Sequence, residues 1–160
     1  MAEVVAAERG AHVRFPPPLV FLAAPILGAA LQYLLSPAPV PLERVTRITV
    51  GVLFLFSGIA LIGSAHIHFS RTGQDPIPWT PTPELIFQGP YRFTRNPMYV
   101  GMTLIAIGIG VALDNLWMAV LAIPALAIVH LIAVRPEEKY LTEKFGASYT
   151  NYLVKVRRYL

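Results

Sequence analysis

Two short polar runs interrupt an otherwise apolar chain. Gln88-Gly89-Pro90-Tyr91-Arg92-Phe93-Thr94-Arg95-Asn96-Pro97-Met98-Tyr99 leads into one apolar stretch, and Arg135-Pro136-Glu137-Glu138 leaves the next. Arg95 carries a planar fork of donors suited to a carboxylate. Asn96-Pro97 marks a helix start, whose unpaired N–H groups and positive dipole end form a second anion site. Glu137 or Glu138 can accept a cation. A site with both signs matches a zwitterion such as the methionine moiety of S-adenosylmethionine. The nearby tyrosines and Phe93 can pack an adenine ring or face a sulfonium. Each residue also has a structural reading: Asn96-Pro97 as cap and first turn, the glutamates as first-turn acids, and Arg92 and Arg95 as membrane-topology charges. It is their shared location, more than any one residue, that points to chemistry.

Other candidates are weaker. His66 and His68 stand two apart, a poor helical spacing for metal ligands, and no third ligand is evident, so no metal site is expected. His130 is an ionisable group within an apolar stretch, which makes it a functional candidate by default. The chain has no cysteine, which excludes disulfides, thiolate catalysis and zinc–sulfur sites.

The elements that must position these residues follow from composition. The chain of 160 residues is 55% hydrophobic and only 14% charged, against about 25% charged in soluble domains. Together with a mean hydropathy of +0.56, this identifies lipid as the solvent for much of it. Four apolar, nearly charge-free stretches cover residues 19–35, 48–65, 97–113 and 116–134. Each is close to the roughly 17–20 helical residues that cross a bilayer core. The expected fold is therefore all-α: a single polytopic membrane domain over residues 1–160, with an N-terminal transmembrane hairpin in 1–66. Small residues recur four apart in Ala24/Gly28, Ala60/Ser64 and Ala106/Gly110, a spacing that lets membrane helices approach closely.

With four spans, both termini and the central loop share one side. That side holds Arg9, Arg14, Arg71, Arg92, Arg95, Arg135, Lys139, Lys144, Lys155, Arg157 and Arg158, against Arg44 and Arg47 on the other. The imbalance predicts cytosolic termini, in a bacterial or archaeal plasma membrane or an organelle membrane. A net charge of +4 without a basic, aromatic-interleaved stripe gives no sign of a nucleic-acid partner. The first stretch contains Pro25, follows Pro16-Pro17-Pro18 and lacks a clear cleavage site, so it is expected to be a retained helix.

The third and fourth spans are joined by little more than Asp114-Asn115, a tight hairpin that brings Arg95 and Asn96 beside Glu137 and Glu138. Residues 67–96 form a long connection. Its Pro76, Pro78, Pro81, Pro83 and Pro90 block a regular helix, while Trp79, Leu85, Ile86, Phe87 and Tyr91 predict an ordered loop packed on something. After the fourth span an amphipathic tail is expected, with Pro136 opening a helix, Leu141 and Phe145 on one face, and Gly146 as C-cap. A second interfacial helix follows with Tyr149, Tyr152, Leu153 and Val156 on one face and Lys155, Arg157 and Arg158 beside it, toward anionic membrane lipids.

The run from Gly89 through Gly101 resembles the signature of the isoprenylcysteine carboxyl methyltransferase family and related phospholipid methyltransferases. Glu137-Glu138, Leu141, Phe145-Gly146, Tyr149 and Tyr152 resemble that family's C-terminal pattern, and the likeness extends over about residues 71–160. It implies S-adenosyl-L-methionine as cofactor, in a pocket open to the cytosol and capped by the C-terminal helices, with lateral entry for a lipidic acceptor. By position, Gln88, Gly89, Tyr91, Arg95, Asn96, Pro97, Tyr99, Gly101, Glu137 and Glu138 would bind the cofactor, with Glu138, Arg135 and Asn96 nearest the chemistry. The chain departs from the family at Asn96, often a histidine there. It also lacks the histidine found upstream of the loop glycine in members that methylate prenylated cysteine, and it places Pro136 between Arg135 and the glutamates.

The expected reaction is methyl transfer to a carboxylate or amine on a lipidic or amphipathic acceptor. An amine must first lose a proton, and Glu138 is the candidate base. Two alternatives stand beside it: an NADPH-dependent reductase of the sterol-reductase type, and a non-catalytic membrane interaction protein.

Overall fold

A computed structural model describes residues 10–13 and 15–160; Arg9 and Arg14 of the charge count lie outside the described residues. The helices, in chain order, are α1 (Pro17–Leu34), α2 (Arg44–Arg71), α3 (Pro97–Ala112), α4 (Leu116–Val129), α5 (Arg135–Phe145) and α6 (Ala147–Lys155), with a 3-10 turn at Gly89–Arg92 and a π turn at His130–Val134. The fold is that of an all-α polytopic membrane protein. Pro17–Leu34, Arg44–Arg71 and the continuous run Leu116–Phe145 are long and apolar enough to cross a membrane. The 16-residue α3 is a shorter apolar helix of about 24 Å.

Helix α2 begins at Arg44, ahead of the expected 48, and two further differences bear on the site. Helix α2 does not stop near residue 65 but runs to Arg71, carrying His66 and His68 in its last turns. No proline or glycine interrupts residues 64–71. The helix ends instead at Gly73, whose φ of +67° is left-handed. Gln74 N–H donates to the Phe69 carbonyl at 3.0 Å and Gly73 N–H to the Ser70 carbonyl at 3.2 Å, the paired bonds that close a helix at such a glycine. The second difference is at Pro136, which does not open a separate helix. Leu116–Phe145 is one helical run through the π turn. A proline cannot donate its N–H and crowds the carbonyl four residues back, here that of Ile132. The π turn widens the ladder over that stretch, so the helix continues.

The described residues divide into two compact units, one of residues 10–13, 15, 63–97 and 130–160, the other of residues 16–62 and 98–129. In the second unit close helix approaches occur at glycines. Gly28 lies against the Met118 backbone, where a Cβ would fall 2.6 Å from its Cα, and Gly110 lies against Ala119. On α2 the approach residues are Gly51, against Ala112, and Gly58, against Gly101. Ala60, expected to pair with Ser64 at a helix contact, is exposed instead. The expected hairpin turn forms: Asp114 takes a φ of +58°, and Asn115 Oδ1 accepts from Met118 N–H at 3.0 Å, capping α4. The Asp114 carboxylate accepts Val40 N–H at 2.8 Å and pairs with Arg47 at 2.5 Å.

In the first unit the proline-rich connection is ordered. Ala11 N–H donates to Pro78 O at 3.0 Å. Thr82 N–H donates to the Tyr140 hydroxyl at 3.2 Å. Phe87 meets Tyr152 edge-on at 5.0 Å, and Tyr91 meets Phe69 at 6.0 Å. The tail follows its pattern only as far as Lys155, where α6 ends; Val156, expected on the helix face with Tyr149, Tyr152 and Leu153, is extended instead. Gly146 ends α5 with a φ of +50°, and Tyr149 of α6 is buried.

Candidate functional site

The polar residues of the first unit converge on Glu138, which the first turn of α5 carries. Arg95 Nη1 lies 3.0 Å from Glu138 Oε1, with the two side chains 10% and 15% exposed. Arg158 reaches the same carboxylate as a fork, Nε to Oε1 at 2.9 Å and Nη2 to Oε2 at 2.8 Å. Two guanidiniums thus share one carboxylate, leaving a local excess of positive charge. The Arg95 charge acts on the nearby Tyr149 phenol, and its Nε is buried without a partner. An orphaned buried N–H on a charged group is costly and therefore informative.

Backbone geometry places Arg95. Gly89, at a φ of +59°, opens the 3-10 turn, and a Cβ there would collide with the His68 imidazole. His68 Nδ1 is 2.7 Å from Ser64 O, so that nitrogen carries the proton and Nε2 is the acceptor in the neutral ring. Tyr91 follows, buried, with its carbonyl accepting the Tyr152 hydroxyl at 2.7 Å. Thr94, 1% exposed, forms an isolated parallel bridge with Arg157, and Arg95 N–H donates to Arg157 O at 3.0 Å. The Arg158 carbonyl accepts both Thr94 Oγ1 at 3.1 Å and Asn96 Nδ2 at 3.0 Å.

Of the residues anticipated from sequence, Arg95, Asn96 and Glu138 are brought together: Arg95 and Arg158 share the Glu138 carboxylate, and Asn96 bonds the Arg158 carbonyl. Glu137 is half-buried, and its charge acts on the Tyr91 and Tyr159 phenols. Arg135 is exposed and lines an open cleft of about 350 Å³ with Glu138, Lys139, Thr142, Glu143, Leu153 and Arg158. Gln88 is exposed and contributes its carbonyl, which accepts Tyr91 N–H at 3.2 Å. Pro97 is buried at the head of α3. Tyr99 and Gly101 belong to the second unit, where Tyr99 is buried and a Cβ on Gly101 would lie 2.6 Å from Ile62 Cγ1. That close approach accounts for the glycine. Phe93, considered for an adenine ring, is 75% exposed.

Sequence reading missed Thr94, Arg158 and Tyr159. Arg158 looked like one more interfacial cation. No local pattern set it apart, because the expected helix face of Tyr149, Tyr152, Leu153 and Val156 carried Arg157 and Arg158 beside it. Val156 is extended, at φ −120° and ψ 133°, and residues 157–159 run back along the site. Tyr159 ends there, its hydroxyl 2.9 Å from His130 Nδ1.

The electrostatics are consistent with this packing. Burial, then the nearby Tyr152 and Glu137, pushes the Tyr91 phenol far up. Burial, then Glu138, does the same for Tyr149, and burial raises Tyr152 to about 12. These phenols stay neutral donors at any physiological pH. The hydrogen bonds of Glu138 hold the Arg158 guanidinium more firmly protonated still.

The donor set fits the amino-acid end of S-adenosylmethionine. Arg95 Nε is a buried donor awaiting an acceptor. Arg158 donates once to each Glu138 oxygen and Arg95 Nη1 lies 3.0 Å from Oε1, so Oε2 keeps a lone pair for an ammonium.

No curated protein matches the chain. A sequence model of one family does match, that of phospholipid methyltransferase, over residues 46–148. The match begins well before residue 71 and takes in α2, which carries no recognisable motif. It covers more than half of the chain and agrees with the resemblance drawn from the polar motifs, so the chain belongs to the phospholipid methyltransferase family, a family of membrane methyltransferases.

Proposed function

We propose that the protein transfers the methyl group of S-adenosylmethionine to a carboxylate or amine on a lipidic or amphipathic acceptor at the cytosolic membrane face. The observation that carries this reading is the Arg95–Glu138 pair with its unsatisfied Arg95 Nε. Arg95 would hold the cofactor carboxylate through Nε, and Glu138 would take its ammonium on Oε2. Asn96 and Thr94, tied to the Arg158 carbonyl, keep Arg95 in register with α5. When bound, the cofactor supplies an already reactive sulfonium methyl, so the protein has chiefly to orient and to exclude water. Positioning of that kind is worth about 7–11 kcal/mol.

The acceptor's chemistry sets what else is needed. A carboxylate attacks as it stands. An amine must lose a proton, for which Glu138 is the candidate base; its carboxylate is held by Arg95 and Arg158, and its first role is binding. The cytosolic orientation rests on the distribution of Lys and Arg between loops.

The test is binding of S-adenosylhomocysteine to purified protein. Arg95→Ala and Glu138→Gln should each weaken it. Unchanged binding in both variants would overturn the reading. Labelled S-adenosylmethionine supplied to native membranes would then identify the acceptor by the species that gains the label.

A further inference from the structure

The geometry points to Arg158 as a positioning residue that acts on the site through Glu138. The inference rests on the proposed role of Glu138 in holding the cofactor ammonium. It concerns residues 156–159, which lie beyond the family match ending at residue 148.

Three observations converge. Arg158 grips the Glu138 carboxylate by two charge-assisted hydrogen bonds of 2.9 and 2.8 Å. A fork of this kind fixes the direction of a carboxylate as well as its position. The same residue's carbonyl accepts Thr94 Oγ1 and Asn96 Nδ2, while the Arg157 carbonyl takes Arg95 N–H. One short extended segment therefore holds both the cation and the anion of the proposed ligand site. Finally, Tyr159 anchors the segment's far side on His130, at the start of the π turn that leads into α5.

The lone pairs decide between a brace and a block. Arg158 donates once to each oxygen, and Arg95 Nη1 lies 3.0 Å from Oε1, so Oε2 is the oxygen with one donor and no second cation against it. The segment thus leaves room for an ammonium and aims that oxygen.

The test uses the full chain in lipid nanodiscs, with S-adenosylhomocysteine affinity, turnover with labelled S-adenosylmethionine in native membranes, and the melting midpoint all measured. Arg158→Gln should raise Kd about ten-fold, and Arg158→Lys, which keeps the charge but not the fork, should raise it less. In a Glu138→Gln background, Arg158→Gln should add less than about two-fold, because a residue acting through Glu138 has nothing left to act on. A purely structural brace would lower the melting midpoint and leave Kd of the folded protein unchanged, which overturns the inference. Tighter binding in Arg158→Gln, or full additivity with Glu138→Gln, also overturns it. If Arg158→Gln does not fold, Arg158→Lys alone decides, by whether its Kd rises. Should Arg95→Ala and Glu138→Gln bind normally, the proposed function itself fails; should they weaken binding while the Arg158 variants do not, only Arg158 is misassigned.

Discussion

Replacing Glu138 by glutamine keeps the side-chain shape but removes one negative charge from between two guanidiniums. The amide oxygen can remain at the Oε1 position, where Arg158 Nε donates and Arg95 Nη1 lies 3.0 Å away. The amide nitrogen then falls at Oε2, a donor facing Arg158 Nη2. Arg158, with a side chain 42% exposed, can turn toward water, whereas Arg95 at 10% cannot. The ligand ammonium meets an NH2 group where it needs a carboxylate oxygen. Hydrogen bonds to charged groups contribute about 1.5–3 kcal/mol, so S-adenosylhomocysteine affinity should fall roughly 10- to 150-fold. Titration calorimetry of purified protein in nanodiscs reads this directly, with circular dichroism to verify that the helices remain. A Kd within about two-fold of the parent, in a folded variant, would refute the assignment of Glu138 to the ligand ammonium.

Other consequences are independent of the ligand. Gly89→Ala forces a Cβ onto a backbone at φ +59° and against the His68 ring; it should cost about 2 kcal/mol or more in denaturant unfolding, and adding His68→Ala should recover only the steric part. Tyr91, Tyr149 and Tyr152 are raised in the folded state, so the stability they contribute is intact below about pH 10 and is lost as pH climbs through about 12 for Tyr152. Absorbance at 295 nm should accordingly show some of the seven tyrosines resisting ionisation until the helices melt; ionisation of all seven near pH 10 with helices intact would contradict this. Asp114→Ala leaves Arg47 and the Val40 N–H without their partner and should cost about 1–3 kcal/mol, with Asp114→Asn costing less because it keeps an acceptor and tolerates positive φ. Neither variant should change S-adenosylhomocysteine affinity.

Hydropathy established the apolar helices and the Asp114-Asn115 turn, and glycine's capping preference the Gly146 helix end, because desolvation and backbone sterics act on each segment locally. The proximity of Arg95, Asn96 and Glu138 was also legible, since a hairpin with almost no turn leaves its two open ends few places to be. Continuity through Pro136 was not legible, because a proline reads as a helix start unless the preceding turn widens, and that choice is made by the packing around residues 130–134. Nor was Arg158, whose type and neighbours look like any interfacial cation. Its role depends on a chain reversal after Val156 that lays residues 157–159 against Thr94–Asn96, and such pairing across more than sixty residues is decided by three-dimensional complementarity rather than by local pattern.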